Sequence, residues 1–482
     1  MLLWFVIAYW VISVAIGLWA ARRVHSAKDF AIAGRHLPFH IVTATVFATW
    51  FGSETVLGIP SVFLQEGLHG VVADPFGAAL CLILVGIFFA APLYRMNLLT
   101  IGDFYRRRFG RTAETLTTLA IVVSYLGWVG AQITALGLVF NVVSGGQISQ
   151  LAGMWIGSST ILIYTLFGGM WAVAITDFLQ MIVIVIGMLY IGSEVSSQVG
   201  GVGVVVEHAR QAGKFNFWPE LDLKAIIAFF AAWITMMLGS MPQQDVFQRV
   251  QSSKTVKIAV WASILGGCLY FLFAFVPMFL AYSATMLDAG MVNRLIDVDP
   301  QLILPTFIMQ NAPLFAQVMF FGALLSAIKS CASATLLAPS VTFTENILRP
   351  MLGDKMSDQK LLRYMRIVTL SFTLLVTLYA INSDAGIFAM VENAYQVTLV
   401  VAFIPLACGV YWKRATNQGA LLAIWLGLVT WLSMLAFGPE DPFIPAQLAG
   451  LLASACGMVL GSLLPSYIPD NLPEKQASVS AG

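Results

Sequence analysis

Long apolar runs separated by short polar segments dominate the hydrophobic pattern of this chain. A helix that crosses the hydrocarbon core of a bilayer needs about 20 predominantly apolar residues. Counted at that length, the pattern predicts thirteen membrane-spanning helices with no soluble domain between them. The predicted spans are approximately 2–21, 39–64, 74–97, 116–143, 149–167, 170–193, 225–246, 256–283, 314–346, 362–382, 386–411, 418–437 and 443–465.

The composition supports the same conclusion. Of 482 residues, 59% are hydrophobic and 10% are charged, whereas soluble proteins carry about 25% charged residues. The five cysteines all lie in apolar runs, which favours free buried thiols over a disulfide framework, and the five histidines show no metal-ligand spacing. The net charge of +1 gives no indication of nucleic-acid binding. We therefore expect an all-α polytopic membrane protein in contact with the lipid bilayer.

Lysine and arginine are concentrated in the loops after the first, third, seventh, ninth and eleventh predicted spans. Basic loops stay in the cytoplasm, so the N-terminus is predicted outside and the tail, 467–482, inside. The first apolar run has no basic segment before it and no small-residue cleavage site, which predicts a retained span rather than a signal peptide. A single transmembrane domain, 1–466, in the plasma (inner) membrane is expected.

The second predicted span is interrupted by a charged residue. Within the stretch Thr43–Pro60, Glu54 lies two residues after Gly52. A charge at bilayer depth costs about 2.5–3.5 kcal/mol and usually faces a protein interior or a wet cavity. An opened helix also frees backbone carbonyls, which a bound cation can satisfy. The pattern predicts a half-unwound segment, Ala48–Glu54, at a central binding site, and a continuous kinked helix with a buried acid is the alternative.

A second interruption lies in the seventh predicted span. Gly239, Ser240 and Pro242 break its apolar run, and three polar residues follow. Two spans interrupted by glycine or proline in corresponding halves of a chain are typical of transporters built from an inverted repeat, with the site near the bilayer midplane. The halves are predicted at about 39–193 and 225–411. The first span and the last two spans fall outside the repeat.

Three motifs in this chain resemble those of the sodium/solute symporter family, which includes the proline permease and the sodium/glucose cotransporters. They are the Gly-Gly to Thr-Asp to Gln stretch at 168–180, the Gln-Arg to Lys stretch at 248–254, and the Trp-Lys-Arg-Ala-Thr segment within 403–420. The likeness extends from about residue 1 to about residue 440. It implies a LeuT-type fold of thirteen helices with a five-plus-five inverted repeat, which agrees with the count above.

The resemblance implies a sodium site between the second and ninth spans. Its ligands would be the carbonyl oxygens of Ala48, Phe51 and Ala327 and the hydroxyl of Ser330, and oxygen is the ligand that a hard cation prefers. Where the family usually has a second serine or threonine, this chain has Cys331, whose soft sulfur is a poor ligand for sodium. The structural alternative is that Ser330 only bonds back to its own helix.

Asp177 lies near the start of the sixth predicted span. The resemblance implies a role for it along the sodium exit route. A solvated acid that stabilises a helix N-terminus is the alternative. Sodium is the expected coupling ion, and no other cofactor is expected.

Lys329 departs from the proline permease, which has an apolar residue at this position. A lysine in the middle of a span is costly and needs a partner or a function. It could couple transport to protons, or it could pair with Glu54 or Glu392 as a structural or gating ion pair. At the helical repeat its side chain points roughly 150° away from the mean direction of Ala327, Ser330 and Cys331, which weakens the proton hypothesis.

The solute is expected beside the two interruptions. The candidate wall combines aromatic rings, amides, hydroxyls and three carboxylates, which suits a cationic nitrogen through Coulomb attraction and cation–π contact. An amine, an amino acid or a quaternary ammonium is therefore favoured. The candidates are Trp50, Ser53, Glu54, Asp74, Tyr125, Trp128, Gln132, Met237, Ser240, Met241, Gln244, Glu392, Tyr395 and Gln396.

Together these features predict a secondary active symporter, not an enzyme, that imports a small organic solute with sodium by alternating access. No nucleophile–base pair or metal set supports catalysis. Proton-coupled symport through Lys329, a transporter-like sensory module and a cation channel are the alternatives. The chain ends about 17 residues after its last predicted span, so no effector domain is expected in cis. A monomer or a weak oligomer is expected.

Overall fold

The computed structural model describes residues 2–353 and 356–465. Within these ranges every regular element is helical, and the β contacts are limited to an isolated parallel bridge between Leu37 and Ser253. The prediction of an all-α protein is confirmed. The predicted tail, 467–482, lies outside the described residues.

Ten of the described helices are long and apolar enough to cross a membrane, and the count reaches eleven when one bent pair is taken as a single span. The first eleven α-helices are α1 (Leu2–Ala20), α2 (Ala27–Ile32), α3 (Phe39–Trp50), α4 (Ile59–Glu66), α5 (Ala78–Leu84), α6 (Ala90–Arg95), α7 (Ile101–Phe109), α8 (Arg111–Val143), α9 (Gln150–Gln198), α10 (Val202–Gln211) and α11 (Leu223–Gly239). They are followed by α12 (Gln244–Ser252), α13 (Val256–Leu287), α14 (Ala289–Leu295), α15 (Ile303–Asn311), α16 (Leu314–Phe343), α17 (Arg349–Leu352), α18 (Asp358–Ile381), α19 (Ile387–Thr398), α20 (Ile404–Tyr411), α21 (Asn417–Phe437) and α22 (Ala446–Leu463).

α9 bends at Gly169. Its 49 residues would extend to more than twice the hydrocarbon thickness at about 1.5 Å per residue. Gly169 adopts φ 47° and ψ −144°, and a Cβ at this position would lie 2.5 Å from the carbonyl oxygen of Phe30 in α2. Both the backbone conformation and the close approach therefore require glycine. The bend falls between the fifth and sixth predicted spans.

Both predicted interruptions are present in the structure. α3 ends at Trp50, and a π-helical turn, Glu54–Gly58, leads into α4. Phe51 and Gly52 are the non-helical residues, so the break is shorter than the predicted segment because residues 48–50 still complete the last turn of α3. The second break separates α11 from α12, which meet at an angle of 44°.

α16 lies at the centre of the helix bundle. Every residue from 323 to 342 is buried, and the helix packs against α3, α8 and α9. A helix that is surrounded by protein directs its polar side chains towards other helices and not towards lipid. The polar residues in the middle of α16 therefore have neighbours on every side, including the break after α3.

Candidate functional site

The carboxylate of Glu54 lies directly after the break that follows α3. Trp128 Nε1 donates to one carboxylate oxygen at 3.1 Å, and Gln132 Nε2 donates to the other at 2.6 Å, both from α8. The Gln132 side-chain oxygen accepts from the backbone N–H of Ser53 at 2.9 Å. One glutamine thus holds both the acid and the opened backbone. The structure brings these four predicted residues together, each of them buried.

Gly52 allows the break to approach α16 closely. A Cβ at position 52 would lie 2.6 Å from Glu54 Oε2 and 2.9 Å from Cys331 Sγ. The Cys331 thiol itself lies 3.9 Å from Glu54 Oε1. The unwound segment of the second span and the middle of α16 are therefore in contact, as the predicted site between these two elements requires.

Aromatic rings enclose this region. Trp50, the last residue of α3, stacks on Tyr395 of α19 with ring centroids 6.1 Å apart and an interplanar angle of 9°. It also makes edge contacts with Trp128 at 5.5 Å and with Tyr270 of α13 at 6.4 Å. Tyr125 stacks on Trp128 with ring centroids 6.1 Å apart and an interplanar angle of 13°. Rings from four helices thus form one buried cluster, of which the sequence predicted all but Tyr270.

Two further buried carboxylates join the cluster through tyrosines. The Tyr270 hydroxyl donates to Asp74, which was a predicted wall residue. The Tyr125 hydroxyl donates to Asp245 Oδ1 at 2.5 Å and accepts from the Asp245 backbone N–H at 2.9 Å. Asp245 was not among the wall residues predicted from the sequence, although its position directly after the second break was a usable signal.

Several polar atoms around the cluster have no hydrogen-bond partner among the described residues. Buried polar groups are almost always paired, because an unpaired one loses its hydration without compensation. Such atoms at a break in two membrane helices are available to a polar ligand. They are Ser53 Oγ, Ser240 Oγ, Asp245 Oδ2 and Tyr395 OH.

Asp177 is fully buried beside α3 and α16. It accepts from the hydroxyl of Thr45 and, at 2.6 Å, from the hydroxyl of Ser330. The alternative of a solvated acid is therefore wrong, because the arm of α9 that follows Gly169 buries Asp177 against α3 and α16. A carboxylate with two hydroxyls is a donor set that fits a hard cation. The predicted contributors Ala48, Phe51 and Ala327 are all buried in the adjoining segments of α3, the break and α16.

Arg249 connects the two broken spans. Its guanidinium donates to Thr49 Oγ1 of α3 at 2.7 Å and to the Asp245 carbonyl oxygen at 3.0 Å. Because Arg249 and Asp245 both belong to α12, this short helix contacts the last turn of α3 and the aromatic cluster together. The family-like Gln-Arg motif therefore lies next to the candidate site.

Lys329 does not pair with Glu54 or Glu392, so the predicted ion pair is wrong. Of the ion pairs in the described part of the chain, none involves Lys329, and its Nζ has no hydrogen-bond acceptor there. The ammonium lies 5.4–5.6 Å from the ring centroids of Tyr9, Trp10 and Tyr164. These rings belong to α1 and α9, on the side of α16 away from the break, as the helical projection predicted.

Two predicted wall residues form their hydrogen bonds away from the cluster. Gln396 follows Tyr395 by one position and so faces a different side of α19, where it accepts from Trp431 Nε1 at 3.1 Å. Gln244 lies beyond the bend after α11 and accepts from the backbone N–H of Ile101 at 2.8 Å. Glu392 is only partly buried. The structure therefore corrects the assignment of Gln244 and Gln396 to the wall around Glu54.

A family model described as the sodium:solute symporter family matches residues 30–427. The matched range contains both breaks, α16 and every residue of the cluster. The chain belongs to the sodium:solute symporter family. Members of this family are transporters and not enzymes, and this chain is a multi-pass membrane protein.

Two relatives of this chain are choline and proline transporters. It is 26% identical over 449 residues to the high-affinity choline transporter 1 of Drosophila melanogaster, covering 89% of this chain and 70% of that protein. It is 26% identical over 469 residues to the high-affinity proline transporter PutP of Bacillus subtilis (strain 168), covering 93% of this chain and 95% of that protein.

Solved transporter structures share the fold of this chain. A Na+-coupled sialic acid symporter in a substrate-bound outward-open state superposes with a TM-score of 0.82 at 19% identity, covering 96% of this chain and 97% of that chain. Mhp1, a nucleobase-cation-symport-1 family transporter in a closed conformation, gives a TM-score of 0.61 at 14% identity, covering 91% and 96%.

Proposed function

We propose that this protein imports a small organic solute with a cationic nitrogen, coupled to inward sodium flow by alternating access. The observation that carries the proposal is the buried cluster at the two breaks, where Glu54, Asp74 and Asp245 lie among aromatic rings. Carboxylates attract a cation by Coulomb force, and a desolvated cation–π contact adds about 2 kcal/mol. Choline and proline, named for the two relatives, both carry a positively charged nitrogen, which supports this class of solute.

We propose thirteen membrane spans in this protein. The bend at Gly169 divides α9 into two crossings, α3 and α4 form one broken crossing, and α11 and α12 form the other, which raises the ten long helices to thirteen. The two breaks then occupy the first helix of each five-helix repeat, 39–193 and 225–411. The distribution of basic loops supports an outside N-terminus and a plasma-membrane location.

We propose that sodium is bound by the carbonyl oxygens of Ala48, Phe51 and Ala327 and the hydroxyl of Ser330. The Ser330–Asp177 contact supports this site, because Asp177 adds a negative charge and an exit route directly beside it. Cys331 supplies no oxygen. Sodium that enters down ~100 mV contributes about 2.3 kcal/mol, and a tenfold gradient contributes about 1.4 kcal/mol. The sum sustains solute accumulation of several hundredfold.

Uptake into proteoliposomes tests this function directly. Radiolabelled choline, glycine betaine and proline are the probes, and at least one is expected to accumulate under an inward sodium gradient at ten times or more its rate in potassium. Protein-free liposomes are the control. Sodium current without solute would indicate a channel, and binding without accumulation would indicate a sensory module, so either result would contradict the proposal.

Replacement of Lys329 by methionine separates sodium coupling from proton coupling. Because Lys329 faces α1 and α9 and not the break, we expect Lys329→Met to keep sodium-driven uptake within about threefold of the unmodified protein, with no uptake driven by a pH gradient alone. Lys360→Met, at the exposed start of α18, is the matched control. Uptake driven by pH alone that disappears in Lys329→Met would establish proton coupling instead.

A further inference from the structure

α12 is a polar helix in a buried position. All nine of its residues are buried, although it contains Gln244, Gln248 and Gln251 together with an acid and an arginine. In the proposed topology it lies between the aromatic cluster and the cytoplasm. It therefore occupies the route by which a solute would leave the site inward.

The three glutamines bind three separate segments on the cytoplasmic side. The Gln244 side-chain oxygen accepts from the backbone N–H of Ile101, the first residue of α7, at 2.8 Å. Gln248 Nε2 donates to the carbonyl oxygen of Ala31 in α2 at 3.0 Å, and Gln251 Nε2 donates to that of Leu93 in α6 at 2.7 Å. Each partner is a backbone N–H or carbonyl group. The partner therefore determines whether the oxygen or the nitrogen of the glutamine amide forms the bond, whatever orientation is assigned to the amide.

Each glutamine uses only one end of its amide. The other ends, Gln244 Nε2, Gln248 Oε1 and Gln251 Oε1, are buried without a partner in the described ranges. A hydrogen bond inside a protein contributes little net stability. The cost of burying a polar atom without a partner is at least as large as that contribution. The closed arrangement is therefore only weakly favoured, because water entering from the cytoplasm would satisfy both ends of every amide.

We propose that α12 is the inner gate of the transport cycle and that Gln244, Gln248 and Gln251 are the positioning residues that hold it closed. This inference rests on the alternating-access function proposed above and identifies which contacts must break for release. We call these three glutamines the latch. Their side chains are neutral, so they do not compete with sodium for a charged partner, and water can replace each of their hydrogen bonds.

The two ends of α12 are held differently. The C-terminal end of α12 is attached by main-chain hydrogen bonds, from Leu37 N–H to the Ser252 carbonyl oxygen at 3.0 Å and from Lys254 N–H to the Leu37 carbonyl oxygen at 2.9 Å. The N-terminal end of α12 carries Asp245, which accepts a hydrogen bond from Tyr125 of the cluster. A solute that binds Asp245 thus changes the contacts of the same helix that the glutamines hold, which couples site occupancy to the gate.

Hydrogen–deuterium exchange of the full-length protein in lipid nanodiscs tests the latch. In Gln244→Asn, Gln248→Asn and Gln251→Asn the side chain stays polar but becomes too short to reach its partner. We expect amide exchange in residues 244–252 to accelerate about fivefold for each bond lost and about a hundredfold in the triple variant. Gln317→Asn is the matched control, because Gln317 Nε2 also donates to backbone carbonyls but at the outer end of α16.

A second variant distinguishes the latch from general loosening. Gln244→Glu, measured at a pH low enough to keep the introduced carboxyl protonated, keeps the acceptor that binds Ile101 N–H without adding a buried charge, and is expected to retain the exchange rate of the unmodified protein at the same pH. The inference is overturned if Gln244→Glu accelerates exchange as much as Gln244→Asn, if Gln317→Asn accelerates exchange in 244–252, or if the three latch variants change nothing. The exchange measurement does not require the solute to be known. If the latch variants change exchange as expected but none of the probes is taken up, the proposed solute class is rejected and the assignment of the gate is not.

Discussion

Replacing Glu54 by glutamine is expected to weaken solute binding about a hundredfold, which corresponds to about 2.7 kcal/mol. Glutamine has the same shape as glutamate, and its side-chain oxygen can still accept from Trp128 Nε1, but its NH2 group can no longer accept from Gln132 Nε2. The change therefore removes the charge and one hydrogen bond while it keeps the packing, and most of the expected loss comes from the Coulomb attraction between the site and a cationic nitrogen. Isothermal titration of the purified protein with the transported solute, in saturating sodium, measures the effect.

Glu207→Gln is the control for this substitution. Glu207 lies on the surface helix α10, where it pairs with Arg210 at 2.7 Å, and its replacement is expected to leave solute affinity unchanged. If Glu54→Gln binds the solute as tightly as the unmodified protein, the assignment of the acid–aromatic cluster as the solute site is wrong.

Replacing Asp177 by asparagine is expected to raise the sodium concentration for half-maximal uptake at least tenfold. Asp177 holds the hydroxyls of Thr45 and Ser330 together, and its carboxylate is the charged group next to the proposed carbonyl ligands. Ser330→Ala removes one oxygen ligand but leaves the charge, so its effect should be smaller, about threefold. Initial uptake rates at graded sodium concentrations measure both variants.

Ser340→Ala provides the comparison for the sodium variants. Ser340 is also a buried serine of α16, but its hydroxyl bonds back to the Leu336 carbonyl oxygen of its own helix at 2.8 Å. We expect its sodium dependence to match that of the unmodified protein. A sodium dependence that is the same in Asp177→Asn, Ser330→Ala and Ser340→Ala would remove the proposed sodium site.

The sequence was sufficient to predict the two breaks and most of the acid–aromatic cluster. Glycine and proline within an apolar run, followed by a charged residue, are local signals with a local cause, so Glu54 and the break after α11 could be located without coordinates. Tyr125, Trp128 and Gln132 lie at i, i+3 and i+7, a spacing that puts them on one helical face. The structure places all three against Glu54 or against each other.

Residues whose roles depend on the packing of distant helices could not be placed from the sequence. A helical projection gives the direction of Lys329 relative to its own helix, but not that Tyr9, Trp10 and Tyr164 occupy that side. Gln396 is a different case, because its position one residue after Tyr395 puts it on another side of α19, which the helical projection alone would have shown. Tyr270 gave no signal, because a single tyrosine in an apolar span is more often a packing residue.

Gly169, the second glycine of the family-like motif, affects a contact far from its own position in the chain. It leaves just enough room for the Phe30 carbonyl oxygen of α2. The residue after Phe30 is Ala31, whose carbonyl oxygen accepts from Gln248. A methyl group at position 169 would push α2 outward and stretch that bond. The small size of one residue at the bend of α9 thus determines whether α2 can keep the Gln248 contact that we propose for the inner gate.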